Sequence, residues 1–278
     1  MPVDVLSHDI SPRDKRYPAT LLALTFESHG EHLLGRMLVA QGAGPHPTIV
    51  LLHGFPGNEQ NGDLAHIFRR AGWNVLFFHY RGAWGSPGSF SFTHSCEDVA
   101  SALRWLRTSQ IQERYRVDAQ KIVLIGHSMG GFAAQLTAAT DPSVYGVASL
   151  AGFQFGQFAR LLRDDAALLT ATIEHWRGEL AALRGTTAEQ LVQEVLDQSE
   201  AWKMERYIDI LAQRRVCLIG ANYDTVAPVA LHHTPLVTAL EERPAPGLYS
   251  AILPTDHAFS DVRVSLAKHL LSWLDSIL

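Results

Sequence analysis

Short apolar runs alternate along this chain with segments of helical periodicity, and this alternation restricts the fold more than any other feature of the sequence. Several of the runs are apolar at every position, as expected for strands that are buried on both faces of a sheet. The pattern predicts an α/β fold in which helices cover both faces of a mostly parallel sheet. The predicted strands are 48–53, 73–80, 121–125, 145–150, 216–219 and 248–253.

Two segments depart from this alternation. Residues 21–27 and 32–40 flank a short polar turn and predict an antiparallel hairpin at one edge, which brings the sheet to eight strands. Residues 153–214 contain no convincing strand and are too long for a single crossover, so they predict an inserted helical cap. The predicted organisation is an α/β core of residues 1–152 and 215–278 with this cap inserted between its two parts.

The predicted cap is rich in large aromatic side chains. They can serve only to attach the cap to the core, or some of them can line a pocket beneath it, because inserts of this kind often lie over a binding site. The aromatic residues are Phe153, Phe155, Phe158, Trp176, Trp202 and Tyr207.

The predicted cap also contains a signal for the start of a helix. Thr187 and Gln190 have the spacing of a capping box.

Composition excludes several classes of function. The 278 residues include 23 basic and 28 acidic side chains, and no run of Lys or Arg provides the positive surface that nucleic-acid binding requires. No apolar run reaches the length of about 18 residues that a membrane span needs, and residues 21–26 are too short for a signal peptide. Cys96 and Cys217 form neither a metal cluster nor a disulfide framework, so we expect two buried thiols. We therefore expect a soluble, cytoplasmic protein with a small-molecule partner.

The strongest local motif is Gly-His-Ser-Met-Gly-Gly at 126–131, which follows the predicted strand 121–125 and precedes a run compatible with a helix. In this setting the pattern G-x-S-x-G is typical of a nucleophile elbow, a tight turn that presents a serine above the sheet. A serine hydroxyl is a poor nucleophile until a neighbouring base accepts its proton. Ser128 is therefore the candidate nucleophile, and a base and an acid should be found elsewhere in the chain.

Such a serine is followed along the chain by an Asp or Glu and then by a His, each on a loop after a later strand. Asp224 follows the strand 216–219, and His257 follows the strand 248–253. The carboxyl ends of parallel strands share one edge of the sheet, where ligands bind. Asp256 is the alternative acid, but adjacent residues point in different directions, which favours Asp224 as the partner of His257.

The oxyanion that forms when a serine attacks a carbonyl group requires preorganised N–H donors. The sequence His-Gly-Phe-Pro-Gly at 53–57 directly follows residues 48–52 of this strand, and its glycines permit a sharp turn. We expect the N–H of Phe55 to point into the site and the N–H of Met129 to supply the second donor. His53 is expected to hold this loop through hydrogen bonds rather than to act as a base.

Three further histidines compete for a functional role. His127 adjoins the candidate nucleophile but is expected to face the opposite way. His232 and His233 are expected to be exposed on a helix, and no Cys or carboxylate cluster surrounds them to complete a metal site. We therefore expect no metal ion.

These motifs and their order resemble the α/β-hydrolase fold family over essentially the whole chain, with the acid loop at 220–228 and the histidine loop at 254–259. The stretch Tyr-Arg-Gly-Ala-Trp-Gly-Ser-Pro-Gly at 80–88 is similar to the Arg-Gly loop of small bacterial esterases and of prolyl-oligopeptidase-like catalytic domains. That loop often carries Asp two residues before the arginine, whereas this chain has His79 before Arg81. The ion pair that the family would place there is therefore not expected at this position.

The resemblance implies a serine hydrolase that cleaves a carboxylic ester through an acyl-enzyme on Ser128. His257 would be the base, Asp224 would orient it, and the N–H groups of Phe55 and Met129 would form the oxyanion hole, with no cofactor. Thioester, amide or C–C bond hydrolysis by the same triad is an alternative, and a non-catalytic binding module is another. The edge hairpin leaves a homodimer as an open question.

Overall fold

One sheet of eight strands runs through the computed structural model, which describes residues 4–9 and 13–278. The order across the sheet is β1-β2-β4-β3-β5-β6-β7-β8; β1 and β2 are antiparallel to their neighbours, and the pairs from β4 to β8 are parallel. The predicted fold class is confirmed. The strands are β1 (Thr20–Ser28), β2 (Glu31–Val39), β3 (His46–Leu52), β4 (Asn74–Phe78), β5 (Val117–His127), β6 (Gly146–Leu150), β7 (Val216–Ala221) and β8 (Leu248–Leu253).

Helices connect the strands and cover both faces of the sheet. No helix within residues 4–9 and 13–278 combines the length and the apolar character that a membrane span requires. The helices are α1 (Gly62–Arg70), α2 (Phe92–Leu106), α3 (Ser109–Tyr115), α4 (Met129–Thr140), α5 (Phe155–Asp164), α6 (Ala166–Glu179), α7 (Ala188–Asp197), α8 (Ile208–Leu211), α9 (Val229–His232), α10 (Thr234–Glu241) and α11 (Arg263–Ile277).

The strands contribute to two apolar cores because successive side chains point to opposite faces of a sheet. On β3, Val50 and Leu52 belong to the core that contains side chains of α2 and α4. Ile49 and Leu51 belong to the core that contains side chains of α1 and α11. Burial on both faces explains why the parallel strands are apolar throughout, and it fixes the edge at which their carboxyl ends meet.

Between β6 and β7 the chain forms α5 to α8 and two short 3-10 turns, Leu180–Ala182 and Met204–Tyr207. We call residues 153–214 the helical segment. The predicted capping box at the start of α7 is present, since Thr187 and Gln190 each bond the other's backbone N–H. The division of the chain into a core and a cap stays a prediction, and residues 1–3 and 10–12 of that core lie outside the described residues.

Two of the places at which the helical segment is attached to the rest of the protein lie at the start of α2 and in the loop 80–88. The Glu194 carboxylate on α7 accepts hydrogen bonds from the backbone N–H groups of Phe92 (3.0 Å) and Thr93 (2.8 Å) at the start of α2. These are N–H groups without an acceptor inside the helix, and the helix dipole favours an anion there. At the second place, the backbone N–H of Trp84 donates to the carbonyl oxygen of Ala182 over 2.8 Å. These contacts hold α6 and α7 beside the loops that follow the parallel strands.

Candidate active site

Ser128 occupies the turn between β5 and α4. Its backbone has φ 56° and ψ −121°, a conformation that non-glycine residues adopt at a cost and that is concentrated at functional sites. A Cβ atom at Gly126 would lie 2.0 Å from the carbonyl oxygen of Gly130, and one at Gly130 would lie 2.4 Å from that of Leu52. The flanking glycines are thus required by the close approach of the backbone, and the turn leaves the serine 5% exposed.

His257 and Asp224 are in direct contact. The Nδ1 atom of His257 lies 2.6 Å from Oδ2 of Asp224, and the Asp224 side chain is fully buried. Burial alone would raise the pKa of Asp224, but the hydrogen bonds from His257 and from the N–H groups of Val226 and Ala227 hold it below its ordinary value. A carboxylate that remains ionised fixes the proton of His257 on Nδ1 and leaves Nε2 as the basic atom.

The alternative acid makes different contacts. Asp256 accepts hydrogen bonds from the backbone N–H (2.8 Å) and the hydroxyl (2.7 Å) of Ser260. Among the hydrogen bonds of residues 4–9 and 13–278, none joins the hydroxyl of Ser128 to His257, although both residues line one cavity. In enzymes without bound substrate this hydrogen bond is often long and shortens in the substrate complex. The structure therefore brings His257 and Asp224 together, and Ser128 lines the same cavity as His257.

The loop 53–57 passes close to the serine. A Cβ atom at Gly54 would lie 2.9 Å from the Cβ of Ser128, so only glycine permits this approach. His53 is buried, and its Nδ1 donates to the carbonyl oxygen of Gly54 over 2.8 Å, the loop contact expected from the sequence. The N–H of Phe55 donates to no acceptor within the described residues, and the N–H of Met129 is at the first position of α4, where no intrahelical acceptor exists.

A cavity of about 290 Å³ lies over these residues. Its walls include Ser128, His257, Phe55 and Met129 together with aromatic side chains of α2 and the helical segment. The ring centroid of Trp176 lies 5.4 Å from that of Phe55 and 5.5 Å from that of Phe92. The apolar wall is formed by Phe55, Phe92, Phe153, Phe155 and Trp176.

The cavity also has a charged part. Its lining includes Glu59 and Glu179, which are half-buried, and the exposed His175, but neither Lys nor Arg. No Lys or Arg of the described residues lies within ion-pair distance of either glutamate. The nearby Arg177 instead pairs with Glu174 and Glu189, and Arg263 pairs with Asp63. Glu59 and Glu179 therefore place negative charge on this side of the cavity.

Comparison with known proteins identifies the family. A sequence profile described as Alpha/beta hydrolase family matches residues 49–273. The chain belongs to the alpha/beta hydrolase family. No curated protein matches it.

The solved structures that resemble this alpha/beta hydrolase share its fold at low sequence identity. DcsB, in complex with its substrate analogue, is 18% identical with a TM-score of 0.68, covering 93% of this chain and 100% of the other. GrgF from Penicillium sp. sh18 is 19% identical with a TM-score of 0.67, covering 92% and 98%. Est1E from Butyrivibrio proteoclasticus is 14% identical with a TM-score of 0.67, covering 92% and 98%.

The Arg-Gly loop of this alpha/beta hydrolase finds its ion pair elsewhere in the chain. Asp98 on α2 is buried and accepts from Nε of Arg81 (2.7 Å) and from its backbone N–H (2.8 Å), and Glu97 contacts the same guanidinium group. The hydroxyl of Ser28 donates to Asp98 over 2.6 Å. The position of His79 therefore does not leave Arg81 unpaired, because a helix supplies the carboxylate that the loop lacks.

Two expectations about histidines of this alpha/beta hydrolase are wrong. His127 does not face away from the site: its Nε2 donates to the carbonyl oxygen of His257 over 2.8 Å, and the two rings are 4.7 Å apart. His232 is 3% exposed and stacks on Phe153 with centroids 4.4 Å apart, while His233 is half-buried. The nitrogen Nδ1 of His232 accepts from the backbone N–H of Gln154, which ties α9 to the helical segment.

Sequence reasoning missed these two roles because no local signal marks a histidine that packs against a distant loop.

The expectation of two buried thiols holds for one cysteine. Cys217 is buried, whereas Cys96 is only half-buried. Within residues 4–9 and 13–278 no three His, Cys, Asp or Glu side chains are grouped so that they could hold a metal ion.

The buried histidines predict a loss of stability in mild acid. Burial lowers the pKa of His53 and of His127 to about 3 and that of His232 to about 4, from an ordinary value of 6.5. Below pH 6.5 the unfolded chain takes up protons at these residues while the folded protein does not. The free energy of unfolding should therefore fall between pH 6.5 and pH 4, by about 1.4 kcal/mol per pH unit for each histidine.

Urea unfolding at pH 7, 6 and 5 measures this slope. His232→Gln should reduce it by the contribution of one proton, whereas the exposed His32→Gln should leave it unchanged. Equal slopes in the two variants would show that His232 binds a proton in the folded protein.

Proposed function

We propose that this alpha/beta hydrolase cleaves carboxylic esters through an acyl-enzyme on Ser128. The observation that carries the proposal is the His257–Asp224 hydrogen bond of 2.6 Å beside a strained serine in a shared cavity. An imidazole oriented in this way can accept the proton of a hydroxyl group and later return it to a leaving alcohol. Fold and family support hydrolysis, and these contacts support the serine mechanism.

The reaction follows from these positions. Ser128 attacks the ester carbonyl while Nε2 of His257 takes its proton, and Asp224 stabilises the imidazolium that forms. The N–H groups of Phe55 and Met129 stabilise the negative oxygen of the tetrahedral intermediate. His257 protonates the leaving alcohol, and it then deprotonates the water that releases the acid from Ser128.

The cavity favours uncharged or positively charged substrates with an apolar group. Its aromatic wall, which includes Phe92 and Trp176, suits a hydrocarbon or aromatic acyl group. Est1E, which shares the fold, has been solved with ferulic acid bound, and an aromatic acid of similar shape suits this wall. The unpaired Glu59 and Glu179 would repel an anionic substrate such as an acyl-coenzyme A.

A panel of substrates with one acyl group tests this function. We expect 4-nitrophenyl butyrate to be cleaved with a kcat/KM at least about 100-fold above those of the matching anilide and a β-diketone, because 4-nitrophenolate is a much better leaving group than an anilide nitrogen or an enolate carbon. Among thioesters, the neutral butyryl-N-acetylcysteamine should exceed the anionic butyryl-coenzyme A by about tenfold at low salt, and added salt should reduce the ratio.

The panel also separates the alternatives. Fastest cleavage of the anilide or the β-diketone would contradict the ester assignment and favour amide or C–C bond hydrolysis. A preference for butyryl-coenzyme A would contradict the electrostatic argument alone. A cytoplasmic location, a homodimer formed through the edge hairpin and the absence of a cofactor remain predictions.

A further inference from the structure

Trp84 connects the loop 53–57 to the helical segment. Its indole Nε1–H donates to the carbonyl oxygen of Pro56 over 2.8 Å, and its backbone N–H donates to the carbonyl oxygen of Ala182 over 2.8 Å. Next to it, Ala83 forms an isolated antiparallel bridge with Leu183. The side chain of Trp84 thus bonds the loop that carries Phe55, and the main chain of Trp84 bonds the segment that carries Trp176.

Backbone preference does not explain a tryptophan at this position, and burial explains it only in part. The residue is 38% exposed, so much of its ring gains nothing from removal from water. Its φ of 50° lies in the left-handed region, which is unfavourable for a bulky side chain. Its side chain makes one hydrogen bond, to Pro56, and its ring stacks on that of His79 at 6.1 Å.

The contacts of the loop show what this hydrogen bond can do. His53 holds the carbonyl oxygen of Gly54, and Trp84 holds that of Pro56, so the residues on either side of Phe55 are fixed through their acceptors. Gly57 has φ 107°, and a Cβ there would lie 2.6 Å from the Trp84 indole nitrogen. The turn is therefore shaped around the indole, and the N–H of Phe55 stays without an acceptor.

We propose that Trp84 is a positioning residue that holds the N–H of Phe55 in the orientation required to stabilise the oxyanion. This inference rests on the proposed ester hydrolysis at Ser128. Donors in an oxyanion hole act because they are fixed before charge develops, so loss of the indole contact should affect the transition state more than substrate binding. Through Ala182, the same residue ties the position of this donor to the helical segment.

Trp84→Phe tests the proposal, because phenylalanine keeps an aromatic ring but has no N–H. We expect kcat for 4-nitrophenyl butyrate to fall about tenfold with KM within about twofold of the original value. The affinity for butylboronic acid, which forms a tetrahedral adduct with the Ser128 hydroxyl, should fall about tenfold as well. Hydrogen exchange of residues 53–57 should become faster, and the thermal midpoint should stay within about 2 °C.

Trp105→Phe is the matched control. Trp105 on α2 is half-buried against Phe26, and its indole N–H makes no hydrogen bond within the described residues, so this variant should keep the original kcat and boronic acid affinity. Unchanged kcat and boronic acid affinity in Trp84→Phe would overturn the proposal. A fall in kcat that is accompanied by a large fall in the thermal midpoint would overturn it as well, because general destabilisation would then explain the lost activity. A native protein that neither cleaves esters nor binds the boronic acid would instead refute the proposed function, while the exchange measurement would still report on the loop.

Discussion

Replacement of Ser128 by alanine is expected to lower ester hydrolysis by at least about 10⁴-fold, because the acyl-enzyme cannot form without the hydroxyl. The change removes one oxygen atom from a turn that is shaped by Gly126 and Gly130, so the fold should be retained. The rate of 4-nitrophenyl butyrate hydrolysis and the circular dichroism spectrum of the variant measure these two effects.

A fluorophosphonate probe gives an independent measurement, since it reacts rapidly only with an activated serine. The original protein should be labelled at Ser128, and the alanine variant should not be labelled. Ser109→Ala, at an exposed position at the start of α3, should be labelled like the original. Retention of more than a few per cent of the activity in Ser128→Ala would reject this residue as the nucleophile, and no labelling of the original protein would favour a non-catalytic binding module.

Asp224→Asn is expected to lower kcat by about 10⁴-fold with little change in KM. The side-chain oxygen of an asparagine can still accept hydrogen bonds from the N–H groups of Val226 and Ala227. These nitrogens lie 2.8 and 2.7 Å from Oδ1 of Asp224, so the loop should keep its shape. It cannot stabilise the imidazolium form of His257, and its amide group can favour the wrong tautomer. Steady-state kinetics with 4-nitrophenyl butyrate measures the loss.

Asp256→Asn is the control for this prediction, because the two acids belong to neighbouring loops and the substitution changes charge by the same amount. Asp256 bonds Ser260 and not the imidazole, so its variant should keep kcat within about threefold. An equal loss in both variants would mean that the effect comes from the charge of the region. A loss in Asp256→Asn alone would exchange the roles of the two residues.

The parts of this structure that were predictable from sequence are those with a local cause. The elbow around Ser128 is specified by glycines whose backbone contacts admit no side chain, and the apolar strands are specified by burial on both faces. Asp224 and His257 could be located because each follows an apolar strand, at the edge where the carboxyl ends of parallel strands meet. These features need only short-range sterics and the periodicity of the chain.

The parts that were not predictable depend on contacts between distant segments. Arg81 finds its carboxylate at Asp98 on a helix, and His232 is buried because α9 packs against Phe153. The contact between Trp84 and Pro56 likewise requires two loops to meet after the sheet has formed. A propensity argument treats each of these residues as a surface polar or aromatic residue, because the partner that changes its environment lies elsewhere in the chain.

The attachment of Glu194 to the start of α2 has a consequence for how a substrate enters. The 182–184 stretch is held by the Arg-Gly loop and α7 is held by this carboxylate, so we predict that the helical segment does not hinge away from the cavity as one unit. Admission should then depend on rotamer changes of side chains at the rim, such as the exposed His175. The size of an acceptable acyl group would accordingly be set by a fixed aperture.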